Sequence, residues 1–182
     1  MERVIAHAAR AAFGQLLVTN TLRSMVVEAM LDLALLADWR WCAADFAGWD
    51  FEHADGTRLE VKQSAARQTW AAPLRPSRPS FDIAQRLGYW EGGSTWVEGA
   101  GRHAHIYVFA HHPAVDAKAD HRDPQQWDFY VAGTEALPAT KSISLARVRE
   151  IVPACGYADV RASIEVLRVQ RQSLLGSPPS RG

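Results

Sequence analysis

The stretch W-D-F-E-H-A-D-G-T-R-L-E-V-K, residues 49–62, decides how this chain is read. Two strand-like segments, 45–52 and 57–63, flank Ala54-Asp55-Gly56, and Asp-Gly supplies the positive φ that a tight hairpin needs. Side chains alternate across a strand, so Leu59 and Val61 share the face turned to the core while Glu60 and Lys62 share the other. The hairpin brings Asp50 alongside Glu60. Two carboxylates this close repel, and each tends to hold a proton. A divalent cation removes that conflict, and Mg²⁺ in particular takes one or two carboxylates together with waters and phosphate oxygens. Lys62 beside such an ion can orient or deprotonate an attacking water, or offset charge growing on a phosphate. The chemistry these parts suit is metal-assisted hydrolysis of a phosphodiester.

Outward from the hairpin, residues 1–13 read as a short Ala-rich helix. Gly14 to Asn20 interrupt it, and Thr19, Asn20 or Thr21 can cap a second helix. Residues 21–38 repeat Leu22, Met25, Val26, Ala29, Met30, Leu33 and Leu36 at helical spacing, with Glu28 at the edge of the apolar stripe. Residues 64–101 read as irregular, broken by Pro73, Pro76 and Pro79 and turned at Gly92-Gly93. Residues 105–111 and 127–132 read as strands, joined by a polar surface loop. Ser142 or Ser144 caps a helix ending near Ile151, and residues 159–174 form a last helix on Val160, Ile164, Leu167 and Arg171. The expected architecture is a mixed α/β domain over residues 1–175, its central sheet of four or more strands covered by helices, with residues 176–182 a disordered tail.

Asp50, nine intervening residues and then Glu60-Val61-Lys62 resemble the signature of the PD-(D/E)XK, or restriction-endonuclease-like, nuclease superfamily. The Pro of that signature is replaced by Trp49. Many members project a Glu from the first core helix toward the metal, and Glu28 fits that role. Gln63-Ser64-Ala65 and Gln68-Thr69-Trp70 are similar to continuations in bacterial nuclease-like proteins. The resemblance implies a restriction-endonuclease-like sheet and a nuclease, with DNA as the expected polymer. It implies Mg²⁺ or Mn²⁺ held by Asp50, Glu60 and Glu28, and a catalytic set of Glu28, Asp50, Glu60, Lys62 and Gln68. It covers residues 20–70 well and is only architectural beyond Trp127.

Between Lys62 and Arg86 lie Arg67, Arg75 and Arg78 against one acid, Asp82, with Trp70 and Phe81 interleaved. Arginines contact phosphates and aromatics stack on bases, so Arg67, Trp70, Arg75, Arg78 and Arg86 form the expected nucleic-acid surface. The histidines at 103, 105, 111 and 112 raise zinc, with Asp116, Asp120 and His121 in a loop nearby, but read better as sheet-end residues at the surface. Residues 142–171 resemble helix-turn-helix spacing without a basic face, which favours helices that cover the sheet.

The 182 residues carry 20 basic and 20 acidic side chains, so no global field draws nucleic acid or membrane, and any affinity must be local. Cys42 and Cys155 show no metal spacing and no disulfide framework. The longest apolar run, 29–37, is interrupted by Asp32, and nothing near Met1 reads as a signal peptide, so the cytoplasm is the expected compartment. Little chain remains for sequence recognition, which points to a structure-selective or non-specific enzyme, a homodimer, or a partner protein that supplies targeting. The rival reading is a catalytically inactive nuclease-like module for nucleic-acid binding or assembly; cleavage of RNA would differ only in substrate.

Overall fold

A computed structural model describes residues 1–42, 47–70 and 77–176. The helices are α1 (Glu2–Phe13), α2 (Asn20–Leu35), α3 (Leu145–Ile151) and α4 (Val160–Gly176). The strands are β1 (Trp39–Trp41), β2 (Phe51–His53), β3 (Arg58–Ala65), β4 (Ser80–Asp82), β5 (Arg86–Glu91), β6 (Thr95–Gly101), β7 (Ile106–His112), β8 (Asp128–Gly133) and β9 (Ser142–Ser144). Five of them form one mixed sheet in the order β1-β2-β3-β7-β8. β1, β2 and β3 form an antiparallel meander, β7 runs parallel to β3, and β8 returns antiparallel to β7. A parallel pair requires a long crossover. Here residues 66–105 supply it, and they contain β4 and the β5–β6 hairpin.

The alternation in β3 sets up two apolar layers. Leu59 and Val61 pack with Phe51, Val108 and Val131 beneath α2 and α4, which contribute Val27, Leu31, Leu35, Val160 and Ile164. On the opposite face Tyr107, Phe109 and Tyr130 pack against Phe81 and Ile83 near β4, Ile143 of β9, and Leu145 and Val148 of α3. Helices on one face, with a helix and a two-stranded ribbon on the other, leave both sides of β3 and β7 covered. Ser144 accepts the Arg147 N–H and so caps α3, as its sequence position implied.

The structure departs from the sequence reading in four places. β1 lies inside a segment given no strand, and its register with β2 (Trp39 opposite His53) makes the hairpin a three-stranded meander. Residues 80–101 are not irregular: β5 and β6 pair around Gly92 and Gly93, whose φ values of 59° and 74° are those a turn demands of glycine. The buried stripe of α2 is Arg23, Val27, Met30, Leu31 and Leu35, whereas Met25, Leu33 and Leu36 face solvent. That helix is apolar on nearly every side, so periodicity alone could not select the face. The histidines at the end of β7 are buried rather than at the surface: His112 and His121 meet edge to face at 4.9 Å and both pack on Trp127. Burial holds all three of His111, His112 and His121 below the ordinary imidazole range, His111 and His121 at about 4, so their rings are neutral packing groups at pH 7. Residues 43–46, where the first arm was expected to begin, and Arg75 lie outside the described residues, as does the expected tail from 177 onward. No helix among the described residues is long and apolar enough to cross a membrane.

Candidate active site

The register of the meander decides the site. Phe51 stands opposite Leu59, so Asp50 and Glu60 meet across the same pair of strands on the face away from Leu59 and Val61. The Asp50 N–H donates to the Leu59 carbonyl at 2.9 Å, and its side chain folds back so that Oδ2 accepts the Val61 N–H at 2.6 Å. Glu60 Oε1 accepts from the Lys62 ammonium. Glu28 arrives from α2 and is fixed by Trp41, whose indole N–H donates to its Oε2 at 2.9 Å.

These four groups feel one another. Burial, then the charge of Glu60, then that of Glu28 push the Asp50 carboxyl up to about 8, against the opposing pull of the Val61 N–H and Lys62. Burial also raises Glu60, with Glu28 adding to the shift and Lys62 and Arg86 opposing it. For Lys62, burial works to lower the pKa, but the charge and hydrogen bond of Glu60 and the charge of Asp50 outweigh it and hold the ammonium above its ordinary value. Lys62 is therefore a permanent positive charge at neutral pH, suited to orienting a water or offsetting negative charge and unsuited to removing a proton. Tyr107, opposite Glu60 on β7, is pushed up to about 12 by burial and by the Glu60 charge, so it is a neutral phenol. Asp82 on β4 contributes negative charge near Lys62 and pairs with Arg86 at 2.5 Å.

Among the described residues, no group of three or more His, Cys, Asp or Glu side chains stands ready to hold a metal ion. Glu60 is turned onto Lys62 and Glu28 onto Trp41. The donor set still suits a hard divalent cation: burial, with the charges of Glu60 and Glu28 adding to it, keeps a proton on Asp50 near neutrality, and a cation bound there would displace it.

The other expected site residues divide. Arg86 lies close enough to influence Glu60. Trp70 is 70 % exposed and Arg78 is exposed, whereas Arg67 donates to the Asp116 carbonyl and anchors a loop. Gln68 is buried, its amide oxygen accepting from Arg23 at 3.0 Å and its amide nitrogen donating to the Ala65 carbonyl at 2.8 Å. That amide is spoken for by the scaffold.

Arg23 is the residue the sequence reading missed. It is fully buried, and its guanidinium donates to Gln63 at 2.6 Å, Gln68 at 3.0 Å and Asn20 at 2.7 Å. All three acceptors are neutral amides, and burial lowers its pKa to about 10. The clamp ties α2, which carries Glu28, to the end of β3 just past Lys62. The signal was present: Arg23 interrupts the apolar run five residues before Glu28, and Gln63 and Gln68 follow the motif. Arg23→Ala is expected to destabilise the fold by about 2 kcal/mol or more, because it leaves the buried Gln68 amide oxygen without that donor and empties the space a fully buried side chain fills. Arg23→Lys should recover only part of this, since an ammonium lacks the planar fork. Urea unfolding of both variants measures it, and equal midpoints for Arg23→Ala and the native chain would refute the clamp.

Comparisons with protein-family models, with curated proteins and with solved structures return no match, so the chemistry of the site carries the functional reading.

Proposed function

We propose that the chain is a metal-dependent nuclease of restriction-endonuclease-like fold that hydrolyses phosphodiester bonds, with DNA as its polymer. The observation that carries this reading is the pairing of Asp50 and Glu60 across β2 and β3, with the Lys62 ammonium on Glu60 and with Glu28 of α2 near enough for its charge to raise both carboxyls. Asp50, Glu60 and Glu28 would hold Mg²⁺ or Mn²⁺, which when bound supplies Lewis-acid polarisation and a more acidic water. Lys62, a fixed cation on the same strand as Glu60, orients the attacking water and offsets charge developing on the phosphoryl oxygens. Arg86, half of an exposed ion pair with Asp82, can leave that partner at little cost to hold a flanking phosphate. Arg78 and Trp70 are a further exposed cation and an exposed ring available to the polymer.

The Glu60–Lys62 contact and the lack of a preformed three-carboxylate group among the described residues favour the second reading, a non-cutting module that binds nucleic acid or a targeting partner. One experiment separates the two. Purified protein is incubated with plasmid DNA, single-stranded DNA and RNA in Mg²⁺, Mn²⁺ or EDTA. The nuclease reading expects DNA cleavage in either metal and none in EDTA, lost in Asp50→Ala. Metal-independent cleavage, or none on any polymer, overturns it.

A further inference from the structure

Beside the carboxylate cluster the surface sinks into a pocket of about 530 Å³ lined by Arg40, Trp41, Trp49, Glu52, Arg58 and Trp90. Its position follows from strand periodicity. Glu52 is two residues beyond Asp50 and Arg58 two residues before Glu60, and they stand opposite each other in the β2–β3 register. Both therefore share the face of the cluster, displaced along the strands by about 7 Å. Trp41 joins the two sites: its indole N–H holds Glu28 while it also lines the pocket.

The lining has a definite chemistry. The Arg58 guanidinium lies 3.6 Å from the centre of the Trp49 ring, a stack that makes the floor flat and rigid. Glu52 accepts from Arg40 at 2.5 Å and from Arg58 at 3.4 Å, so carboxylate and guanidinium edges lie side by side. Trp90, on the β5–β6 hairpin, is braced edge-on by Trp96 at 5.5 Å and remains 39 % exposed. Arg40 and Arg58 are balanced by Glu52 and Glu91, which also lines the pocket. A site with that balance has no net charge with which to hold a free phosphate. Two carboxylates and two guanidiniums also make it a poor seat for a purely apolar group. The occupant that fits is neutral, planar and polar at its edge.

We propose that the pocket takes one nucleobase of the bound strand, a base unstacked from its neighbours and lying next to the phosphate at the carboxylate cluster. The exposed Trp90 indole stacks on its face, the Arg58 guanidinium held flat on Trp49 lies beside it, Glu52 accepts from its amino group, and Arg40 or Arg58 donates to its carbonyl. Guanine and cytosine present an amino donor and a carbonyl acceptor on one edge; thymine offers no amino group, and adenine no carbonyl. The location beside a scissile phosphate rests on the nuclease reading, whereas the base pocket itself rests on its own lining.

The test is binding in EDTA, where metal-dependent hydrolysis is off, using fluorescently labelled oligothymidylates carrying a single guanine, cytosine, adenine or abasic residue. The native chain should bind the guanine or cytosine oligomer more tightly than the others. Trp90→Ala should weaken that binding roughly tenfold and erase the preference, while Trp90→Phe, which keeps a ring, should retain most of it. Thermal melting of both variants checks that the hairpin change leaves the domain folded. Equal affinity for all oligomers, no binding at all, or unchanged affinity in folded Trp90→Ala overturns the pocket. Cleavage in Mg²⁺ without base preference in binding leaves the nuclease reading standing and removes the pocket. Base preference without cleavage does the reverse.

Discussion

On the nuclease reading, Lys62→Met should lose metal-dependent cleavage by roughly a thousandfold, the scale on which a single charge-stabilising donor acts in a water-poor site. The substitution keeps most of the aliphatic stem and removes only the ammonium. In the native chain that ammonium is bound to Glu60, yet three acidic neighbours (Glu60, Asp50 and Asp82) keep it charged despite burial. The role proposed for it is therefore electrostatic. The variant exposes the same balance from the acid side: Glu60 loses the contact that opposes its rise, so carboxylate repulsion in the metal-free protein grows. Lys62→Met should accordingly melt at a lower temperature than the native chain at pH 8, with a smaller deficit when Mg²⁺ is present, because the cation supplies the missing positive charge. Lys62→Arg should recover stability more than rate, since a guanidinium keeps the charge but not the compact geometry. Single-turnover cleavage of plasmid with melting curves in EDTA and Mg²⁺ measures both. A Lys62→Met rate within about threefold of native would remove Lys62 from the chemistry.

The hairpin was legible because three local signals agree there. Asp55-Gly56 demands a turn, Leu59 and Val61 alternate with Glu60 and Lys62, and Asp50 falls at the distance that register converts into contact. β7 and β8 were legible as continuous apolar runs, as strands buried on both faces must be. What sequence could not supply was pairing. β5 and β6 follow a Pro-rich stretch, and their association depends on a cross-strand match, Trp90 to Trp96, that has no periodic signature. β1 is three residues long, too short for alternation to register. The face of α2 was misassigned because burying a guanidinium is unfavourable without acceptors, and its acceptors Gln63 and Gln68 lie 40 and 45 residues away. The adjacency of Asp50 and Glu60 was legible because the hairpin is local; Trp41 and Arg23, which hold Glu28 and its helix in place, were not, because their work is tertiary.

Asp50→Asn should make the metal-free protein more stable at pH 8 and less responsive to Mg²⁺. The sign is set by where the proton sits. The unfolded Asp50 titrates near 3.8, whereas burial and the charges of Glu60 and Glu28 raise the folded value to about 8. Between those values the folded chain keeps a proton that the unfolded chain has released, so this group's contribution to stability falls as pH rises from about 4 to about 8 and is flat outside that window. Asparagine offers the Val61 N–H an amide oxygen in place of Oδ2 and carries no charge to bury. At pH 8 the gain should be on the order of a few kcal/mol, or roughly 5–10 °C in Tm for a chain of this size, shrinking toward zero near pH 4. A Mg²⁺ ion shared by these carboxylates would reverse the order. Binding it requires Asp50 deprotonated, so millimolar Mg²⁺ should raise the native Tm more at pH 8.5 than at pH 6, and should raise that of Asp50→Asn little at either. Melting curves across pH, with and without Mg²⁺, read the whole pattern. A native chain indifferent to Mg²⁺ at pH 8.5, or an Asp50→Asn variant that responds as strongly, would show that these carboxylates do not share a cation.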